Sequence, residues 1–233
     1  MTSLLIATRN AHKVDEIRSI LGKEFQYLTL ADFPSAPEVS ENAVTFAGNA
    51  AKKAVELAKW LSSADAVTGT TGNFYVLADD SGLEVDALSG APGVHSARFA
   101  ALDTRVAGNS PTAENNAKLL RLLKDVPLEK RTASFHCVIA LTPVLAKHSE
   151  GASPVCYADE FELQTQLFDG TCEGRIIHEL RGRGGFGYDP LFVPEGYDRT
   201  FGELPEEVKN LLSHLAKALA QLKRKLSGET APT

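Results

Sequence analysis

The chain has 233 residues, 43% of them hydrophobic, with 24 basic and 30 acidic side chains and a net charge of −6. That size fits one domain or a compact pair of lobes with a sizeable core. The acidic balance argues against a general affinity for nucleic acid, although a small phosphate ligand needs only a nest of N–H groups and a lysine or two.

The N-terminal segment, residues 1–7, has a short apolar run but no basic flank, and Arg9 and Asn10 end it. It is too short for a signal peptide or a membrane span, so the expectation is a soluble, cytoplasmic protein with no membrane partner. Cys137, Cys156 and Cys172 lie far apart, without zinc spacing, and read as buried free thiols of a reducing compartment.

Residues 4–7 predict a buried strand, followed by a turn at Thr8-Arg9-Asn10 and a helix over 11–21. Val14, Ile17, Ile20 and Leu21 keep helical spacing there, and Gly22 is a stop. Residues 31–42 are irregular, with Pro34 and Pro37. A second helix is expected over 43–61, and a flexible surface loop over 62–73. The apolar run 74–78 predicts a short strand that ends at Asp79-Asp80, with Ser81-Gly82 as a turn. A Gly/Pro-rich loop covers 89–93. Ser110 and Pro111 suit the N-cap and first position of a helix to about 124. Strands are expected over 132–141 and 156–166, a glycine-rich loop over 181–190 and a last helix over 205–226. Residues 227–233 read as a disordered tail. Strands interleaved with helices indicate an α/β fold. The strand-like segments of the second half are not each followed by a helix, which argues against a purely parallel sheet.

Four constellations stand out. Two adjacent carboxylates, Asp79 and Asp80, repel unless one finds a cation or a proton, and such a pair suits a divalent metal and water activation; two solvated acids in a turn are the plain alternative. Thr8-Arg9-Asn10-Ala11-His12-Lys13 places a strand, a turn and a helix start in series, an arrangement that attracts anions or simply caps a helix. Glu41 precedes the second helix, where it caps the dipole or reaches a metal, and Lys53 lies near the face of Thr45. Gly182-Arg183-Gly184-Gly185-Phe186-Gly187-Tyr188-Asp189-Pro190 formally matches G-x-G-x-x-G, but Tyr188-Asp189-Pro190 does not open a dinucleotide-binding helix. Its glycines permit close backbone approach, and Phe186 or Tyr188 suits stacking on a flat ring. On the last helix Lys209 and Ser213 are four residues apart. His214 lies off the centre of an apolar stripe of Val208, Leu211, Leu212, Leu215, Leu219 and Leu222, placed to reach a ligand at the helix flank.

Taken in this order, the segments form a pattern. Residues 6–13 (IATRNAHK), 45–50 (TFAGNA), 78–86 (ADDSGLEVD), 90–98 (GAPGVHSAR), Phe135-His136-Cys137, 184–190 (GGFGYDP) and Ser213-His214 span nearly the whole chain. Together they resemble the inosine triphosphate pyrophosphatase family, the XTP/dITP diphosphatases. The resemblance implies an α/β fold with a mixed, elongated central sheet flanked by helices. It implies two lobes within one domain over 1–226, an active-site cleft between them, and a homodimer. It also implies Mg2+-dependent hydrolysis of ITP, dITP and XTP to the nucleoside monophosphate and pyrophosphate. By motif position, Thr8, Arg9, Asn10, Ala11, His12, Lys13 and Lys53 would hold the triphosphate and Ser81 would contact substrate. Glu41 and Asp80 would hold the metal, with Asp80 as general base. Phe186, Gly187, Tyr188 and Asp189 would form the base pocket, closed by Lys209 and His214. Three positions depart from the pattern: Leu215 stands where the family carries Arg, Gly48 where an acid is common, and the 62–73 loop is longer than usual. Leu215 leaves open a nucleotide-binding protein of relaxed base specificity or without catalysis.

Overall fold

The computed structural model describes residues 2–64, 73–104, 108–145 and 159–227. Among the described residues six strands, β1 (Ser3–Ile6), β2 (Gln26–Thr29), β3 (Phe74–Val85), β4 (Thr132–Pro143), β5 (Gln166–Ile176) and β6 (Phe192–Pro194), form a sheet in the order β2-β1-β3-β4-β5-β6. β1 runs parallel to both β2 and β3, whereas β5 and β6 are antiparallel, so the sheet is mixed as the sequence indicates. The helices are α1 (Ala11–Leu21), α2 (Phe46–Ser63), α3 (Ala101–Thr104), α4 (Thr112–Leu122), α5 (Glu160–Gln164), α6 (Glu206–Leu212) and α7 (His214–Ser227). The chain divides into two compact units. One comprises Met1–Asp80, Val138–Phe168 and Leu219–Thr233, the other Ser81–Cys137 and Asp169–Ala218.

In the first unit α1 has the bounds its sequence predicts. The Asn10 side chain accepts the N–H of His12 at its start, and Gly22 closes it at φ +84°, a conformation that glycine adopts without a Cβ penalty. α2 begins three residues later than its alanine-rich run suggests, because Thr45 is the cap and accepts the Gly48 N–H. Its Ala50, Ala54, Leu57, Ala58 and Leu61 recur at helical spacing and pack on Leu5, Ala7, Phe74, Val76 and Ala78. The helix runs on to Ser63; residues 65–72 of the expected loop lie outside the described residues. The segment expected as a strand over 156–166 is corrected where it is described, since residues 160–164 are α5. Asp159 caps this turn by accepting the Phe161 N–H, and Glu160 and Glu162 sit favourably in its first turn. Cys156 lies outside the described residues, as do residues 228–233 of the tail.

The second unit has its own core, in which Leu83, Val85, Leu119, Leu123, Phe135, Ile176, Tyr188, Leu191, Phe192 and Phe201 pack together. Cys137 and Cys172 are buried free thiols, as expected. Two expectations fail here. Pro111, not Ser110, precedes α4, and the Ser110 hydroxyl accepts the Ala101 N–H instead. The single last helix is two helices, broken at Ser213, whose ψ of 155° is extended. The Ser213 hydroxyl accepts the Ala216 N–H and so caps α7, which favours the break. Leu211, placed by the unbroken pattern on the apolar stripe, is 78% exposed. Among the described residues no helix is long and apolar enough to cross a membrane.

Candidate active site

The strand beneath the site is longer than its apolar run. β3 does not end at Ala78; it continues through Asp79, Asp80, Ser81 and Gly82 to Val85, and no turn follows the acids. In a strand, successive side chains point to opposite faces. Phe74, Val76 and Ala78 face α2, so Asp80 continues that row at the polar end, and Asp79 takes the opposite face. The two carboxylates are adjacent in sequence yet meet different partners. Asp79 pairs with Lys13 of α1, while Asp80 accepts from Asn49 Nδ2 of α2 at 2.9 Å.

Asn49 falls within the 45–50 motif but is not among the site residues that the resemblance implies. It is fully buried, an unusual place for an asparagine in a helix interior, and that is the signal that marks it. Its Oδ1 accepts the Ala43 N–H at 2.8 Å, which fixes the amide with its donor toward Asp80. Lys53, one turn further along α2, donates to the Asp79 carbonyl at 2.9 Å and lies 2.6 Å from Glu41 Oε1. Lys13, Glu41, Asn49, Lys53, Asp79 and Asp80 thus form one cluster. Within it, Asp80 is 8% exposed and its carboxyl is pushed up to about 6, chiefly because burial disfavours the charge. The Asn49 hydrogen bond opposes that shift, Glu41 adds to it, and Lys53 and Lys13 oppose it.

The other predicted residues of this unit sit at the start of α1. Thr8 Oγ1 accepts the Asn10 N–H at 3.2 Å and Asn10 Oδ1 accepts the His12 N–H at 3.0 Å, so both side chains shape the turn. Arg9, Ala11 and His12 are exposed.

In the second unit Ser81 stands half-buried on β3. The glycine-rich segment is an irregular loop closed around Asp189, whose Oδ2 accepts the Phe186 N–H at 2.7 Å and Lys209 Nζ at 3.0 Å. Lys209 Nζ also lies 4.4 Å from the centre of the Phe186 ring, a cation–π distance. Gly185, at φ +71°, leaves room for this carboxylate: a Cβ there would fall 2.1 Å from Asp189 Oδ2. Asp189 is 3% exposed, and burial pushes its carboxyl up against the opposing pull of Lys209. Of the two aromatics, Phe186 is half-buried beside Lys209, whereas the Tyr188 ring belongs to the core and its hydroxyl donates to the Ser96 carbonyl at 2.9 Å. His214 is buried and stacks on Phe135 with ring centres 4.8 Å apart, rather than standing on an open helix flank. Leu215 is 3% exposed, a packing residue as its place on the stripe suggests.

The family model described as the Ham1 family matches residues 4–225. A protein of Desulforamulus reducens named dITP/XTP pyrophosphatase is 45% identical over 217 residues, 93% of this chain and 91% of its own length. One of Geobacter sulfurreducens with the same name is 45% identical over 224 residues, 96% of each chain. Among solved structures, a HAM1 protein from Coxiella burnetii superposes with a TM-score of 0.75 at 35% identity, covering 98% of this chain and all of that one. The Staphylococcus aureus Ham1 protein gives 0.73 at 32%, with the same coverage. With a family match over almost its whole length and relatives at this identity, the chain belongs to the Ham1 family.

Proposed function

We propose that this chain is a nucleoside triphosphate pyrophosphatase acting on deaminated purines. It hydrolyses ITP, dITP and XTP between the α- and β-phosphates and releases the nucleoside monophosphate and pyrophosphate. The observation that carries this reading is the cluster in which buried Asp80 stands with Glu41, Asp79 and two lysines. The name shared by the Desulforamulus and Geobacter relatives supports the same substrates.

The donor set suits Mg2+, which takes oxygen ligands and is held by one or two carboxylates together with water and phosphate. No group of three or more His, Cys, Asp or Glu suited to a metal occurs among the described residues. The carboxylates that would hold it are Glu41 and Asp80, and the charge of Glu41 already raises the Asp80 carboxyl, a repulsion that a cation would relieve. When bound, Mg2+ neutralises charge on the phosphate oxygens. Asp80, held by Asn49, takes the proton of the attacking water. Lys13 and Lys53 hold the phosphates and offset the charge that spreads over their oxygens in the transition state. The start of α1 adds its N–H groups and dipole.

The base is read by the Phe186 to Asp189 loop and Lys209, while His214 stacks on Phe135. Donors that meet the 6-oxo group of a deaminated purine are left unpaired by the 6-amino group of ATP, the basis of discrimination. Buried Leu215 offers no donor, and this favours a second reading in which the same hydrolysis proceeds with relaxed base choice. Family membership supports two further parts of the proposal, a homodimer and a cytoplasmic location, tested by sedimentation velocity and cell fractionation. The decisive experiment is a nucleotide panel of ITP, dITP, XTP, ATP and GTP with Mg2+. Preference for the first three is the expected result, comparable rates for all five establish the second reading, and binding without turnover contradicts both.

A further inference from the structure

Asn116 lies on α4, outside every motif that carries the family resemblance, and is 3% exposed. Its Nδ2 donates to the Gly187 carbonyl at 3.1 Å, and its buried Oδ1 has no hydrogen-bond partner among the described residues. The adjacent Asn115 behaves differently. Its Oδ1 accepts the Ala100 N–H at 2.8 Å and its Nδ2 donates to the Ala97 carbonyl at 3.2 Å, so both ends are used to pin the chain before α4. A buried amide with an unmet acceptor is a poor packing residue, because an apolar side chain of the same size would avoid that desolvation penalty. The advantage of asparagine at 116 lies in its donor, and the donor is directed at Gly187.

Gly187 sits at φ +61°, between Phe186 and Tyr188. Glycine tolerates several backbone conformations, so this peptide needs external support to hold one. The loop has three anchors around it. Asp189 accepts the Phe186 N–H, Tyr188 donates to Ser96, and Asn116 holds the carbonyl of Gly187 between them. The third is the one that holds the Gly187 peptide itself, next to the Phe186 ring that lies under Lys209.

We propose that Asn116 is a positioning residue for nucleobase recognition, acting through the Gly187 carbonyl to hold the Phe186 face in its binding geometry. This rests on the reading of residues 186–189 as the base pocket. The test uses the full chain with Asn116→Leu, which removes the donor and the unmet acceptor together, and Asn116→Asp, which keeps the shape but not the donor. Steady-state hydrolysis of ITP is measured beside thermal unfolding. KM rises roughly 5- to 10-fold in both variants, the effect of one ordinary hydrogen bond, while kcat stays within about twofold because the phosphate cluster is untouched. A residue that only packs α4 would instead lower the active fraction, and with it kcat, at constant KM. That outcome, an unchanged KM in either folded variant, or failure of both variants to fold, overturns the role of Asn116 while leaving the pyrophosphatase reading intact. Absence of ITP turnover in the wild type overturns that reading and this one together.

Discussion

The two units each bury an aspartate whose carboxyl is pushed up by desolvation, but they surround it differently. Asp189 accepts from Lys209 and from the Phe186 N–H, so a cation and a backbone dipole compensate its charge from within the fold. Asp80 accepts from the neutral Asn49 and feels Glu41, a second acid, while Lys13 pairs with Asp79 and Lys53 with Glu41. The difference separates an aspartate that locks a loop from one whose surroundings favour a proton or an incoming cation. Each can be disturbed independently, and the contrast predicts opposite results for activity and stability.

The largest effect is expected at Asp80. Asp80→Asn lowers kcat by about 10³-fold, within the range for a general base, while thermal unfolding shows an intact fold. At Asp189 the order reverses. Asp189→Ala leaves Lys209 buried without its carboxylate, and breaking a buried pair in this way costs about 3–5 kcal/mol, read as a lowered denaturant midpoint. The fraction that stays folded keeps its kcat but shows a raised KM for ITP, since Asp189 holds Phe186 and Lys209 of the base pocket.

The two aspartates also differ in how pH acts on stability. The Asp80 carboxyl titrates higher in the folded chain, about 6, than its ordinary value of 3.8, so its burial destabilises the fold above pH 6 and ceases to do so as pH falls toward 4. Asp80→Asn lacks that penalty. In chelator, without metal, the variant is therefore more stable than the wild type at pH 7.5 by about 3 kcal/mol, and the advantage shrinks as pH falls through 6. Urea midpoints of the two proteins across this range check it; the remaining carboxylates are common to both and cancel. Lys53→Met, which removes a cation from the same cluster, raises KM for ITP roughly 10-fold and relieves Glu41 of its partner. The smallest effect is at Leu211. Because α6 ends at Leu212, Leu211→Lys changes stability by no more than about 0.5 kcal/mol, where a residue of a continuous apolar stripe would lose several times that.

What the sequence makes legible follows the range of the forces involved. α1 is legible to its ends because Asn10 and Gly22, the residues that start and stop it, are local signals. β3 is not, because Asp79-Asp80-Ser81-Gly82 has the composition of a turn. Its extended course fits acids that find Lys13 and Asn49, 66 and 31 residues away. The break at Ser213 escapes a reading of apolar spacing, since 3.6-residue periodicity passes over a serine that caps a new helix. α5 is hidden for a similar reason, with five residues too few for a periodic pattern and an Asp159 cap that decides them. The candidate site was more legible than the fold around it. Glu41, Lys53, Lys13 and Asp80 do come together, and so do Phe186, Asp189 and Lys209. Asn49 and Asn116 carry no such signal in the sequence, because an amide gains its meaning from the group that it meets.

In the proposed mechanism Asp80 and its neighbours direct water to the α–β linkage of a deaminated purine triphosphate. The most direct measurement is the product stoichiometry of ITP hydrolysis in Mg2+, followed by phosphorus NMR for the wild type and for Asp80→Asn. One pyrophosphate and one IMP per ITP from the wild type, with the variant nearly silent, is the predicted result. Release of inorganic phosphate with IDP, or undiminished turnover by the folded variant, would contradict it.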